Sequence, residues 1–285
     1  MQYSEIRERT WGELLDDKFD NLTKRMAPGT SIVPLNLPAH VATVELFGSR
    51  FICCNCENAA KLLVQEIKHS EQPPLLIAHI NTHNFRTLSS NPKLLEALQL
   101  HSWPLLEGIG LKAASVLTKG RVPADTNGTD LFPALLNELR DMPCRLFLLG
   151  SHSNVVSIAA RKIKESCNQV EIVGYRDGYF SNDQIPLIRD EVQRARPTFL
   201  LIGLGSPRQE EVALEFLQVP DLRVVWTVGG LFDFLSGRIK RAPPVVRLLR
   251  LEWMFRISVE PRRLAFRYLL DSLWLIKSCA YEWLD

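Results

Sequence analysis

The sequence predicts an α/β fold: a Rossmann-like parallel sheet with helices on both faces, plus a basic helical C-terminal appendage. Three observations carry this. Short, continuously apolar segments such as Leu146-Phe147-Leu148-Leu149 and Leu200-Leu201-Ile202 alternate with amphipathic, helix-length ones. Strands that are apolar throughout belong to a parallel sheet covered on both faces. Three of these strands end in glycine directly before a helix start, and cations crowd the stretch that follows the last of them. With 285 residues, 46% hydrophobic and 23% charged, the chain can bury a large core, which excludes a disordered chain.

The elements follow in order. Residues 1–44 are mixed in charge, with prolines at 28, 34 and 38, and read as an N-terminal extension with a helix over Trp11 to Arg25. The main domain spans 45–237. Glu45 to Cys54 reads as a strand pair. Asn58 to Ser70 reads as a helix with Ala59, Leu62, Leu63 and Ile67 on one face. Pro74 to Ile80 is a strand; Pro92 to Leu100, Leu111 to Lys119 and Thr129 to Asp141 are helices, the last capped by Thr129 or Asp130. Strand and helix then alternate through Cys144 to Leu149, Ser153 to Ser166, Val170 to Tyr175, Asp183 to Ala195, Thr198 to Gly203, Pro207 to Leu217 and Arg223 to Val228. Residues 238–285 form the basic appendage.

Several classes are disfavoured. Met1 to Thr10 is polar and charged, unlike a secretory signal, so reduced thiols and a cytoplasmic location are expected. Cys53, Cys54 and Cys56 lack a second ligand pair at zinc spacing and read as strand or turn cysteines. No stretch reaches the ~18 uncharged apolar residues of a spanning helix. The nearest, Leu264 to Ile276, is short and contains Asp271.

In open parallel sheets, ligands sit beyond the carboxyl ends of the strands. Here those ends read Leu149-Gly150-Ser151, then Gly203-Leu204-Gly205-Ser206-Pro207-Arg208-Gln209-Glu210, then Val228-Gly229-Gly230. Glycine lets a backbone approach a ligand, and a following helix offers free N–H groups to phosphate. One such turn serves any α/β protein; three in succession point to a nucleotide-type ligand. The dinucleotide fingerprint is not met, because Arg208 stands where its third glycine belongs, and no Walker A pattern occurs. Hydride transfer and ATP hydrolysis are therefore disfavoured. Polar clusters also fall at Asn81-Thr82-His83-Asn84, Glu107-Gly108-Ile109-Gly110 and Asn127-Gly128-Thr129-Asp130. Each reads either as a cap or turn, or as a site segment in which a carboxylate takes a proton from an attacking sugar hydroxyl.

Taken together, these segments resemble the WecG/TagA/CpsF family of bacterial glycosyltransferases over about residues 45 to 270. The resemblance rests on Thr82-His83-Asn84, Glu107-Gly108-Ile109-Gly110, Asn127 to Leu131, Asp177-Gly178-Tyr179-Phe180, Gly203 to Glu210 and Val228 to Phe234. It continues through Gly237 to Pro243, Leu251 to Arg256 and Glu260 to Arg263. It implies inverting transfer from a UDP-sugar to an undecaprenyl-diphosphate-linked sugar, without metal or other cofactor. N-acetylmannosamine, its uronic acid or glucose is the moiety moved, in teichoic acid, common-antigen or exopolysaccharide assembly. By the same resemblance Glu107 occupies the position of the proposed catalytic base, where the family usually has aspartate, and Asp130 is the second candidate. Thr82, Asn84, Asn127, Gly203, Gly205, Arg208, Gln209, Gly229 and Gly230 fall at donor-site positions. Glutamate reaches one methylene further than aspartate. That departure keeps open a second reading, a silent relative that binds a nucleotide-sugar as sensor or scaffold.

Residues 238–267 hold nine cations against two acids, interleaved with Trp253, Met254, Phe255 and Phe266. Arg238, Arg241, Arg256, Arg263 and Arg267 are the candidates for clamping diphosphates. The same segment could lie on an anionic bilayer, peripheral at the inner face of the cell membrane, or pack as a helical cap with a solvated basic face. No nucleic-acid-binding motif accompanies the cations. The expected partners are the donor, the lipid-linked acceptor and the membrane surface, with room left for a homo-oligomer.

Overall fold

The computed structural model describes residues 41–69, 74–140, 142, 144–249 and 251–284. The expected helix at Trp11 to Arg25 lies outside them. An eight-stranded sheet runs in the order β1-β2-β4-β3-β8-β7-β5-β6. Its strands are β1 (Thr43–Leu46), β2 (Ser49–Ile52), β3 (Leu75–Ile80), β4 (Ser102–Leu106), β5 (Cys144–Gly150), β6 (Val170–Arg176), β7 (Phe199–Gly203) and β8 (Val224–Thr227). Every pairing is parallel except β1 with β2, an antiparallel edge hairpin. The first half of the chain builds β1 to β4 and the second builds β5 to β8. The halves join where β3 pairs with β8, so turns from both face each other across the centre of one sheet edge.

The helices are α1 (Cys56–His69), α2 (Thr82–Ser89), α3 (Pro92–His101), α4 (Ile109–Lys119), α5 (Gly128–Glu138), α6 (Ser153–Ser166), α7 (Ile185–Ala195), α8 (Arg208–Leu214) and α9 (Leu231–Ser236). The C-terminal segment adds α10 (Pro244–Leu248), α11 (Glu252–Val259) and α12 (Pro261–Leu284). Strands β3, β4, β7 and β8 are buried at every position, which explains why β3, β7 and β8 read as largely apolar runs.

Two elements depart from the sequence reading. β4 carries Pro104, which cannot donate to a ladder and argues against a central strand. It pairs along its length with β3 but through the single register Ile52↔Leu105 with β2. α2 is polar apart from its buried Phe85 and Leu88, so it reads as a turn cluster; Asn81 starts it by accepting the Asn84 amide.

The appendage is helical, and α12 packs on the domain. Its Trp274 ring lies 5.7 Å from Phe85 and 5.8 Å from Phe47. Asp271 is buried within α12 rather than ending it, and accepts from Arg86 Nε at 2.7 Å and pairs with His83 Nδ1 at 3.3 Å. Glu282 takes the Phe47 amide at 2.9 Å and Lys119 Nζ at 2.7 Å. Another face of α12 stays open: Phe266, Leu269, Leu273 and Ile276 are all more than half exposed.

Candidate active site

The ends of β3 and β4 bring two of the polar clusters together. Asn84 Nδ2 donates back to the His79 carbonyl at 2.9 Å. Thr82 lies against the β4–α4 turn, where a Cβ on Gly110 would stand 2.2 Å from its Oγ1. Glu107 extends the ladder by one bond, its N–H donating to the Ile80 carbonyl at 2.9 Å.

The Gly128 amide, at the first residue of α5, and the Arg256 charge on α11 both favour the ionised form of the Glu107 carboxylate. Burial dominates its environment and pushes the carboxyl from 4.5 up to about 7. The Gly128 amide and Arg256 oppose that rise, while Asp125 and Glu252 add to it. The residue keeps partial exposure to solvent. A carboxyl with that value is half-ionised near neutrality, as a general base requires.

Asp130 is placed differently. It is exposed, and its Oδ2 accepts from Arg241 Nη2 at 2.6 Å; Arg241 Nε lies 3.7 Å from Glu252. The pair ties the start of α5 to the start of α11. The cap of α5 is Asn127, not Thr129 or Asp130: its Oδ1 accepts the Thr129 amide at 2.9 Å. An asparagine before the first turn satisfies an amide that residues inside the helix cannot reach.

The second rim is the pair of turns after β7 and β8. They touch closely: a Cβ on Gly203 would lie 2.8 Å from the Gly229 carbonyl. Gly205 and Gly229 take φ of 81° and 54°, conformations that L side chains rarely adopt. Gln209 pins the two turns together. Its Oε1 accepts the Gly229 amide at 3.2 Å and its Nε2 donates to Glu210 Oε1 at 2.8 Å, both side chains being buried. Its amide is thus engaged inside the rim rather than at its mouth. Burial pushes Glu210 up to about 7. Arg208 donates to the Phe180 carbonyl and lies 4.7 Å over the Phe180 ring, bracing the Asp177 to Phe180 loop. The helices behind these turns, α8 and α9, have seven and six residues, and α8 already carries Glu210 and Glu211 in its first turn. Any pull on phosphate there comes from turn amides more than from helix dipoles.

The arginines of the C-terminal segment reach different points of the site's surroundings. Arg256 lies 5.9 Å from the Phe234 ring of α9, and its charge favours the ionised form of Glu107. Arg238 pairs with Asp233 at 3.2 Å, and Ser151 Oγ lies 3.4 Å from the same oxygen. Asp233 therefore joins the β5 and β8 turns; in the sequence it stood out only as part of a motif. A hollow of about 540 Å³ opens on that side, lined by His152, Asn154, Val155, Ile158 and Arg238 among others, with Glu107 outside its lining. Arg267 lies 5.3 Å from the Tyr268 ring, and the side chain of Arg263 falls outside the described set. Among the described residues, no group of three or more His, Cys, Asp or Glu side chains is arranged to hold a metal ion.

Residues 44–285 match the glycosyl transferase WecG/TagA/CpsF family. The chain belongs to this family. Among WecG/TagA/CpsF relatives, it is 32% identical over 168 residues to the N-acetylglucosaminyldiphosphoundecaprenol N-acetyl-beta-D-mannosaminyltransferase of Bacillus subtilis, covering 59% of this chain and 65% of that one. It is 30% identical over 173 residues to the protein of the same description from Bacillus spizizenii, covering 61% and 66%. The match thus spans just under two thirds of either relative. Among the described residues no helix is long and apolar enough to cross a membrane.

Proposed function

We propose that this protein is an inverting glycosyltransferase that moves a sugar from a UDP-sugar onto an undecaprenyl-diphosphate-linked sugar, in cell-surface polysaccharide or teichoic acid synthesis. N-acetylmannosamine is the donor sugar favoured by the relatives' names, ahead of its uronic acid or glucose. The observation that carries the reading is Glu107: a carboxylate directly after the end of β4, raised by burial to about 7, with the Gly128 amide and the Arg256 charge of the basic segment favouring its ionised form.

The donor spans the rim. Three inter-strand steps separate the end of β4 from that of β7, about 14 Å. The diphosphate rests on the Gly205 and Gly229 turns, and the anomeric carbon points toward Glu107. Gln209 serves by fixing the Gly229 turn, and Thr82 and Asn84 by fixing the β3 and β4 turns on which Glu107 stands. The acceptor hydroxyl attacks the anomeric carbon as its proton passes to Glu107. The bond to the diphosphate oxygen breaks on the opposite face and UDP departs. Arg256 and the turn amides stabilise the charge on the leaving diphosphate. Asp130 is a structural clamp in this scheme.

The acceptor's lipid lies in a bilayer, and α12 supplies the matching surface. Its open row of Phe266, Leu269, Leu273 and Ile276 runs beside Arg262 and Lys277, an apolar face flanked by cations. The protein then works as a peripheral enzyme at the inner face of the membrane.

A panel of UDP-sugars incubated with a lipid-diphosphate-GlcNAc analogue, read by mass spectrometry, tests the transfer. One donor yielding a disaccharide-lipid product supports it. UDP binding with no transfer to any lipid acceptor points instead to a silent sensor, the reading that glutamate at 107 keeps open.

A further inference from the structure

The turn that bonds to the backbone beside Glu107, through the Thr126 amide on the Leu106 carbonyl, is itself held by a histidine. His79 is the penultimate residue of β3, buried, with its ring stacked 5.7 Å from Trp226. Its Nδ1 lies 3.1 Å from the Thr126 carbonyl. A carbonyl only accepts, so Nδ1 carries the proton and donates, which leaves Nε2 as a bare acceptor. Nε2 is buried without a hydrogen-bond partner. It lies over Gly128, where a Cβ would stand 3.2 Å from it. The imidazole therefore grips both ends of the Thr126-Asn127-Gly128 turn: by a hydrogen bond at Thr126 and by filling the side-chain space of Gly128. Thr126 is fixed from the other side as well, its Oγ1 donating to the Cys54 carbonyl at 2.7 Å and its N–H to the Leu106 carbonyl at 2.9 Å. Burial lowers His79 to about 4, so the ring stays uncharged at neutral pH.

We propose that His79 is a positioning residue for Glu107: it locks the Thr126–Gly128 turn so that the Gly128 amide stays aimed at the Glu107 carboxylate. The inference rests on Glu107 being the general base, but its consequence is measurable without turnover. The charged groups that face Glu107 are Arg256 and Glu252 from α11 and Asp125 from the segment before α5. His79 acts on it through the Gly128 peptide. An amide donor favours the ionised carboxylate, so loosening the turn makes Glu107 hold its proton to higher pH.

The test is an infrared titration of the ligand-free, full-length protein, with the Glu107 carboxyl band identified by its loss in Glu107→Gln. Wild type should titrate near 7. His79→Leu removes the Nδ1 donor and should raise the midpoint by about one pH unit. His79→Asn keeps an amide donor at the Nδ1 position and should restore the midpoint to within a few tenths of a unit of wild type. The acid limb of the kcat profile should move with it while KM for the donor stays unchanged. If His79→Leu does not fold, Gly128→Ala replaces it: its methyl group would press on Nε2 at 3.2 Å, displace the ring or the turn by a few tenths of an ångström, and should raise the midpoint in the same direction. An unchanged or lowered midpoint in a folded variant overturns the proposal. Wild-type turnover in Glu107→Gln would defeat the base assignment instead, and the infrared result would still decide the role of His79.

Discussion

Replacing Glu107 with glutamine should abolish transfer and stabilise the fold, with the second effect confined to higher pH. The carboxyl sits at about 7 in the folded chain against an ordinary 4.5, chiefly through burial. Between those values the folded state binds the proton more tightly than the unfolded chain, so stability falls as pH rises from 4.5 to 7 and levels off above. The full shift corresponds to about 3 kcal/mol against the ionised form. The residue is only partly buried from solvent, so the observable share is on the order of 1–2 kcal/mol. Glutamine carries no charge to desolvate and can still accept the Gly128 amide. Urea unfolding of both proteins at pH 5 and pH 8 should give matching m-values, a small difference at pH 5, and Glu107→Gln more stable at pH 8. Turnover should drop about 100-fold or more, the range of general-base contributions. A stability difference independent of pH would refute the burial argument, and retained turnover would refute the chemistry.

Asp130→Asn removes the charge partner of Arg241 at a half-exposed site, so stability should fall by about 1 kcal/mol or less with turnover largely kept. A loss of transfer as deep as that of Glu107→Gln would return Asp130 to the role of base. Burial pushes Asp271 up, but the hydrogen bonds from His83 and Arg86 outweigh it and hold the carboxyl below its ordinary 3.8. Its contribution is therefore present above 3.8 and lost as pH falls through the folded value. Asp271→Ala should cost about 2 kcal/mol in thermal or urea unfolding at pH 7, the scale of hydrogen bonds to a charged group, with the gap narrowing in strong acid. Leu273→Glu together with Ile276→Glu charges the open face of α12 without touching its packed side; sedimentation with anionic liposomes should weaken while the melting temperature holds.

Much of the sheet was legible because parallel strands buried on both faces carry few polar positions to disguise them. Ser153–Ser166 emerged with the bounds its pattern predicted, since α6 has a regular apolar face of Val155, Val156, Ala159, Ala160 and Ile163. β4 was hidden by Pro104 and α2 by having only two buried side chains. The glycine-flanked position made Glu107 one of several candidate carboxylates, and the family resemblance singled it out. Its partners could not be singled out: the Gly128 amide and Arg256 reach it through tertiary contacts across 21 and 149 positions of sequence. The engagement of Asp130 by Arg241, 111 residues away, was equally invisible. Gln209 reads in sequence as a polar residue at a site mouth, but burial turns it into a pin between two turns. His79 reads as one histidine in an apolar strand, and only the turn folded over it gives it a task.

A structure with UDP bound tests the placement of the donor along the rim most directly. The diphosphate should lie on the turns at Gly205 and Gly229, its outer phosphate directed along the rim toward Glu107 with Arg256 alongside. UDP seated in the hollow beside His152 and Arg238, with its phosphates turned away from Glu107, would contradict the account.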